Sequence, residues 1–109
     1  MIGNTNTSQN KQLGNYGTFG YTNAFTAPSD GFIGIMTGGT WTTLTPGTWE
    51  VSLFINNSQV ARTNGKYQTG DNPPYMALGA FPVKKGDNVS VACPASFAGH
   101  ITVQYRYYE

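Results

Sequence analysis

Few residues in this chain could do chemistry. There is one histidine, one cysteine and five acids, against six basic residues. The acids are Asp30, Glu50, Asp71, Asp87 and Glu109. Asp30, Asp71 and Asp87 each sit beside Gly or Pro, where Asp is common because its side chain bonds the turning backbone. Glu50 falls on the outward side of an alternating run. Glycoside hydrolysis needs two carboxylates across one bond, and nothing in these spacings pairs two of them. Zinc needs three or four His, Cys or acidic ligands, so His100 and Cys93 make a poor start. A calcium site would have to combine Asp71 with loop carbonyls. No Gly-rich loop leads into a helix, so no phosphate cradle is indicated. The expectation is a protein that is not an enzyme and holds neither cofactor nor metal. His100 reads as a capping or surface residue, and Cys93, after Val91 and Ala92, as a small core hydrophobe.

Aromatic residues are plentiful, at 14% of the chain. They fill cores, anchor subunit contacts or stack on sugar faces. Trp41 sits among threonines on a short expected strand, Thr40 to Leu44. Tyr67 and Tyr75 flank a polar loop containing Asp71 and Asn72. Trp41, Tyr67, Asp71, Asn72 and Tyr75 are therefore the candidate ligand or partner site, with neutral glycan the ligand that such a loop suits. Phe32, Met36, Tyr105 and Tyr107 are the candidate subunit interface. Tyr105-Arg106-Tyr107-Tyr108 could stack single-stranded bases. With a net charge of +1 and no basic stripe beyond Lys84-Lys85, nucleic acid is not an expected partner.

The elements that must position these residues are short strands. Trp49, Val51, Leu53 and Ile55 alternate with Thr48, Glu50 and Ser52, the pattern of a half-buried strand. Asn56-Asn57 should close a tight hairpin, since Asn tolerates the positive φ of the favoured turn, and the chain returns through Gln59 to Arg62. Phe32 to Met36 is a strand with two apolar faces, Ile33 and Ile35 on one and Phe32 and Met36 on the other. Such a strand is buried twice, within the fold or at a subunit contact. Further strands are expected over Thr18–Thr26, Tyr75–Phe81, Asn88–Cys93 and His100–Tyr108. Turns are expected at 27–31 and 82–87, a loop over Thr63–Pro74 and a connection over Pro94–Gly99. With 14 glycines and 6 prolines, no helix is expected. About eight short strands at this spacing argue one all-β, antiparallel jelly-roll sandwich over residues 18–109. Residues 1–17 read as a polar arm, either disordered or docked on a neighbouring subunit or particle. No run is long enough to span a membrane, and the N-terminus carries no secretory signal pattern.

Four stretches carry a resemblance: Thr26-Ala27-Pro28-Ser29-Asp30-Gly31-Phe32-Ile33, Leu53-Phe54-Ile55-Asn56-Asn57-Ser58-Gln59-Val60, Val83-Lys84-Lys85-Gly86-Asp87-Asn88-Val89, and the aromatic C-terminal strand. In this order they resemble small jelly-roll head domains of phage virion proteins, such as tail-fibre tips, head fibres and decoration proteins. Those heads are similar to tumour-necrosis-factor-like trimers. The resemblance runs from about Thr22 to Tyr108. It implies a virion protein made in the host cytoplasm, a homotrimer, and a surface that grips other virion proteins or a host glycan. It transfers no binding residues. No shaft or coiled coil precedes the head, so a stand-alone decoration protein or a fragment of a longer fibre is expected. The alternative is a monomeric carbohydrate-binding module.

Overall fold

The computed structural model describes residues 11–37, 46–71 and 75–109. It contains eight strands: β1 (Gly17–Gly20), β2 (Ala24–Thr26), β3 (Gly31–Thr37), β4 (Gly47–Ile55), β5 (Ser58–Tyr67), β6 (Ala77–Val83), β7 (Asn88–Ala92) and β8 (Ile101–Tyr107). One short helix, α1 (Ala95–Ala98), precedes β8. The first sheet has the order β1-β8-β3-β6 and the second β2-β7-β4-β5. Every pairing is antiparallel, and β1 meets β8, β2 meets β7, β3 meets β6 and β4 meets β5. That is a long hairpin rolled up on itself, the jelly roll.

The core lies between the sheets. Ile33 and Ile35 of β3 and Ile101 and Val103 of β8 face Val51 and Leu53 of β4 and Val89 and Val91 of β7, all nearly inaccessible to water. Each such side chain contributes about 1.5–3 kcal/mol of burial. Phe97 of α1 plugs one end of this layer and stacks near Trp49, with ring centroids 5.2 Å apart. The pairs Ile55–Ser58 and Phe54–Gln59 close the β4–β5 hairpin, and Asn56 and Asn57 take φ of 52° and 66°. Both are left-handed, as a two-residue turn of the favoured hand requires.

Local readings of the sequence need five corrections. Thr18–Thr26 is two strands in different sheets, broken at Tyr21-Thr22-Asn23. Phe19 and Phe25 meet edge to face across the sandwich at 5.0 Å, so the crossover is held by packing. Thr63 to Tyr67 is strand, not loop, because β5 pairs with β4 as far as Gly47–Tyr67. The Asn64-Gly65 dipeptide imitates a turn. Its glycine instead makes room for the Trp49 ring, which a Cβ at position 65 would approach to 2.8 Å. Pro82 and Val83 belong to β6, and the turn is confined to the residues that follow. The connection over Pro94–Gly99 contains α1, too short to show a period. His100 is buried rather than on the surface, with its backbone N–H donated to the Phe97 carbonyl at 2.8 Å.

Candidate functional site

Of the five expected glycan-binding residues, three are described. Trp41 and Asn72 lie outside the described residues, as does the expected strand Thr40–Leu44. Tyr67 ends β5, half-buried, and lines a shallow depression with Thr48, Lys66 and Gln68. The Asp71 carboxylate accepts the Gln68 N–H at 3.0 Å, and the Asp71 N–H bonds the Gln68 carbonyl. Asp71 therefore holds its own turn. Tyr75 is 75% exposed, just before β6. The four residues of the expected subunit interface fall on two sides of the first sheet, as strand parity dictates. Tyr105 and Tyr107 share the inward side of β8 with Ile101 and Val103 and pack against the core. Their rings stack at 4.9 Å, and burial pushes the Tyr107 phenol up from its ordinary pKa. Phe32 and Met36 point the other way, onto the outer face of the first sheet, half-buried and exposed respectively.

That outer face carries a hollow of about 450 Å³. Three rows of side chains cross this face, and Phe32, Gly34, Gln104, Arg106, Ala77 and Ala80 from them line the hollow. Along β3 run Phe32, Gly34 and Met36; along β8 run Arg106, Gln104 and Thr102, paired with them one for one. Along β6 run Pro82, Ala80 and Ala77, with a register shift opposite Ile33–Ile35. Gly34 is the floor. A Cβ there would stand 3.0 Å from the Leu78 carbonyl oxygen. Gly79, at φ +143°, brings its backbone against Gly34, so that a Cβ on Gly79 would be 2.7 Å from the Gly34 Cα. Glycine inside a strand marks such close backbone approach, and it empties the space above.

Residues 12–16, the described end of the expected arm, form the rim. Leu13 bridges to Tyr108, the Gly14 N–H bonds the Tyr107 carbonyl at 2.7 Å, and the Glu109 N–H bonds the Gln12 carbonyl at 2.9 Å. This stretch thus extends the β1–β8 pairing within its own chain. Two polar side chains are fixed beside the hollow. Arg106 Nε donates to the Gly14 carbonyl at 2.8 Å. Gln104 Nε2 donates to the Tyr16 hydroxyl at 2.7 Å and also contacts the Met36 sulfur. Phe32 lies 6.2 Å from the Tyr108 ring, which steadies it. Sequence reasoning put Phe32 and Met36 together on one face of the strand as a subunit contact and weighed Arg106 only for base stacking; Gly34, Gln104 and Tyr16 were not among its site residues. The available signal was Gly34, a glycine in the middle of an apolar strand.

The acids are occupied elsewhere. At the end of the sandwich where the turns gather, Asp30 accepts the Lys85 N–H at 2.8 Å. Asp87 accepts the Lys84 N–H at 2.8 Å and the Asn56 amide at 3.0 Å. The Lys84 N–H, followed by the Asn56 amide, holds the Asp87 carboxyl below its ordinary pKa. Glu50 and Arg62 approach to 3.8 Å, both about half exposed, a contact worth at most about 1 kcal/mol. Cys93 is half-buried beside Tyr21, and burial pushes its thiol up, away from the nucleophilic form. Among the described residues, no three His, Cys, Asp or Glu side chains come together as a metal site. No described helix is long and apolar enough to cross a membrane. Neither a protein-family model nor a curated protein matches this chain.

Proposed function

We propose that this chain is a non-enzymatic virion component, a trimeric jelly-roll head that decorates the particle or forms a fibre tip binding the host surface. The observation that carries the reading is the outer face of the first sheet. In a chain with few charges it leaves Met36 36% exposed and, at the rim of a glycine-floored hollow, Tyr16 60% exposed. Apolar area of this kind on a small domain is a contact surface. The turn-bound state of Asp30, Asp71 and Asp87 also supports a non-enzymatic role, because each carboxylate is engaged with backbone N–H groups. In the trimer, neighbouring copies meet at the Met36 end of the face, and the Arg106 end is left as a cleft.

Paired substitutions test this. Met36→Asp places a charge on the contact face, whereas Val60→Asp places one at an exposed site on the second sheet. Sedimentation should give a three-chain mass for Val60→Asp and a single-chain mass for Met36→Asp. Equal masses for the two variants would overturn the assignment of the face. The monomeric carbohydrate-binding reading rests on the same hollow and predicts one-chain masses throughout.

A further inference from the structure

We infer that the hollow on the first sheet binds a carboxylate-bearing monosaccharide, a sialic or uronic acid unit of a glycan. The inference rests on the outer face being the working face, but not on the trimer. Arg106 supplies the charge complement. Its Nε is spent on the Gly14 carbonyl, which fixes the plane of the guanidinium at the rim. Its remaining N–H groups form the fork that matches a carboxylate. No described carboxylate lies within ion-pair distance of Arg106, and the described ion pair of the chain is Arg62 with Glu50. Glu109, three residues after Arg106, has its carboxyl over Gly14, in the space that a Cβ there would take.

The rest of the hollow suits a sugar ring. Phe32 and Tyr16 offer aromatic faces for its C–H side. The Tyr16 hydroxyl, which already accepts from Gln104, has its proton to give. Gln104 keeps its carbonyl oxygen as an acceptor, 3.8 Å from where a Gly34 Cβ would be. A volume of about 450 Å³ is enough for one such unit. Extended peptides are held by an open strand edge. The floor strand β3 is closed by β8 and β6, so a peptide would have to pair with the edge strand β6 at the side of the hollow, and a dipeptide is included in the test for that reason.

The test is a nuclear magnetic resonance titration of the full chain with N-acetylneuraminic acid, glucuronic acid, glucose and a carboxyl-terminal dipeptide. The two acidic sugars should shift the amides of Phe32, Gly34 and Arg106, and glucose should not. Arg106→Gln should weaken acidic-sugar binding roughly tenfold to a hundredfold, the usual worth of a charged hydrogen bond. Glu109→Gln should tighten it, because a neighbouring negative charge is removed. Gly34→Ala, which narrows the floor, should weaken it with the rest of the spectrum unchanged. Silence with both acidic sugars, shifts confined to other residues, or stronger binding of the dipeptide would each overturn the inference. Light scattering on the same samples separates the two proposals: a monomer that still binds acidic sugar loses the trimer and keeps the site.

Discussion

The two sheets of this sandwich are built to opposite rules. In the second, β4 and β5 pair over nine residues of β4 with one irregularity near the hairpin, and the outward ladder is polar: Thr48 with Lys66, Glu50 with Asn64, Ser52 with Arg62. Its glycine, Gly65, is filled from within by the Trp49 ring. In the first, Gly34 and Gly79 press backbone on backbone, no described side chain fills the space above, and Phe32, Gln104 and Tyr16 line the gap. One glycine is used to pack a core aromatic and the other to hollow out a surface. The lesson is that a broken strand pattern is read by what occupies the vacated volume.

The largest effect should come from the side the two sheets share. Ile33 is fully buried between them, so Ile33→Asp puts a charge where no partner exists. The cost is about 5 kcal/mol or more, comparable with the whole stability of a small domain. Circular dichroism and solution mass should report an unfolded or dissociated chain, and a well-folded variant of unchanged mass would refute this view of β3. The two glycines come next. Gly65→Val drives a side chain into the Trp49 ring and should cost about 2–3 kcal/mol in denaturant unfolding. Gly34→Ala meets the Leu78 carbonyl at 3.0 Å, with Gly79 and Gln104 at ordinary contact distance, and should cost about 1 kcal/mol. Equal losses would erase the distinction between a filled and a hollow glycine.

Smaller effects belong to the turn end. Both hairpin asparagines have positive φ, which glycine also accepts. Asn57→Gly should therefore change stability by a few tenths of a kcal/mol at most. Asn56 also bonds the Asp87 carboxylate and the Asn88 N–H, so Asn56→Gly should lose about 1–2 kcal/mol by chemical denaturation. Asp87 sets the pH dependence. Its carboxyl titrates below the ordinary value in the folded chain, so the unfolded chain takes up the proton first and acid favours unfolding. The stabilising contribution is complete above the unfolded value of about 3.9 and is lost as pH falls through the lower folded value. The stability gap between the native chain and Asp87→Asn should be constant from pH 7 to 5 and close in stronger acid.

How legible was this molecule in its sequence? The strand class, the Asn56-Asn57 turn, the Asp-bearing turns and the inward row of β4 follow from alternation and turn chemistry, which are local. Trp49 was read as core, and the structure half-buries it against Phe97 and Gly65, a pairing of residues distant in sequence. The β5 extension was hidden because Asn64-Gly65 is a turn signal until its cross-strand partner is known. The hollow was hidden for a related reason. Gly34, Gly79, Gln104, Arg106 and Tyr16 come from four separate stretches, and only the roll of the sheet brings them together. Tyr105 and Tyr107 are interface candidates from sequence alone, but parity turns them inward against the core and turns Phe32 and Met36 outward.

The claim that the first sheet's outer face is a contact between copies is tested most directly by the solution mass of the unaltered chain. Light scattering after size exclusion should give three times the 11.8 kDa of one chain, persisting on dilution through the micromolar range. A mass of one chain at every concentration would contradict it and leave the hollow as the binding site of a monomeric carbohydrate-binding module.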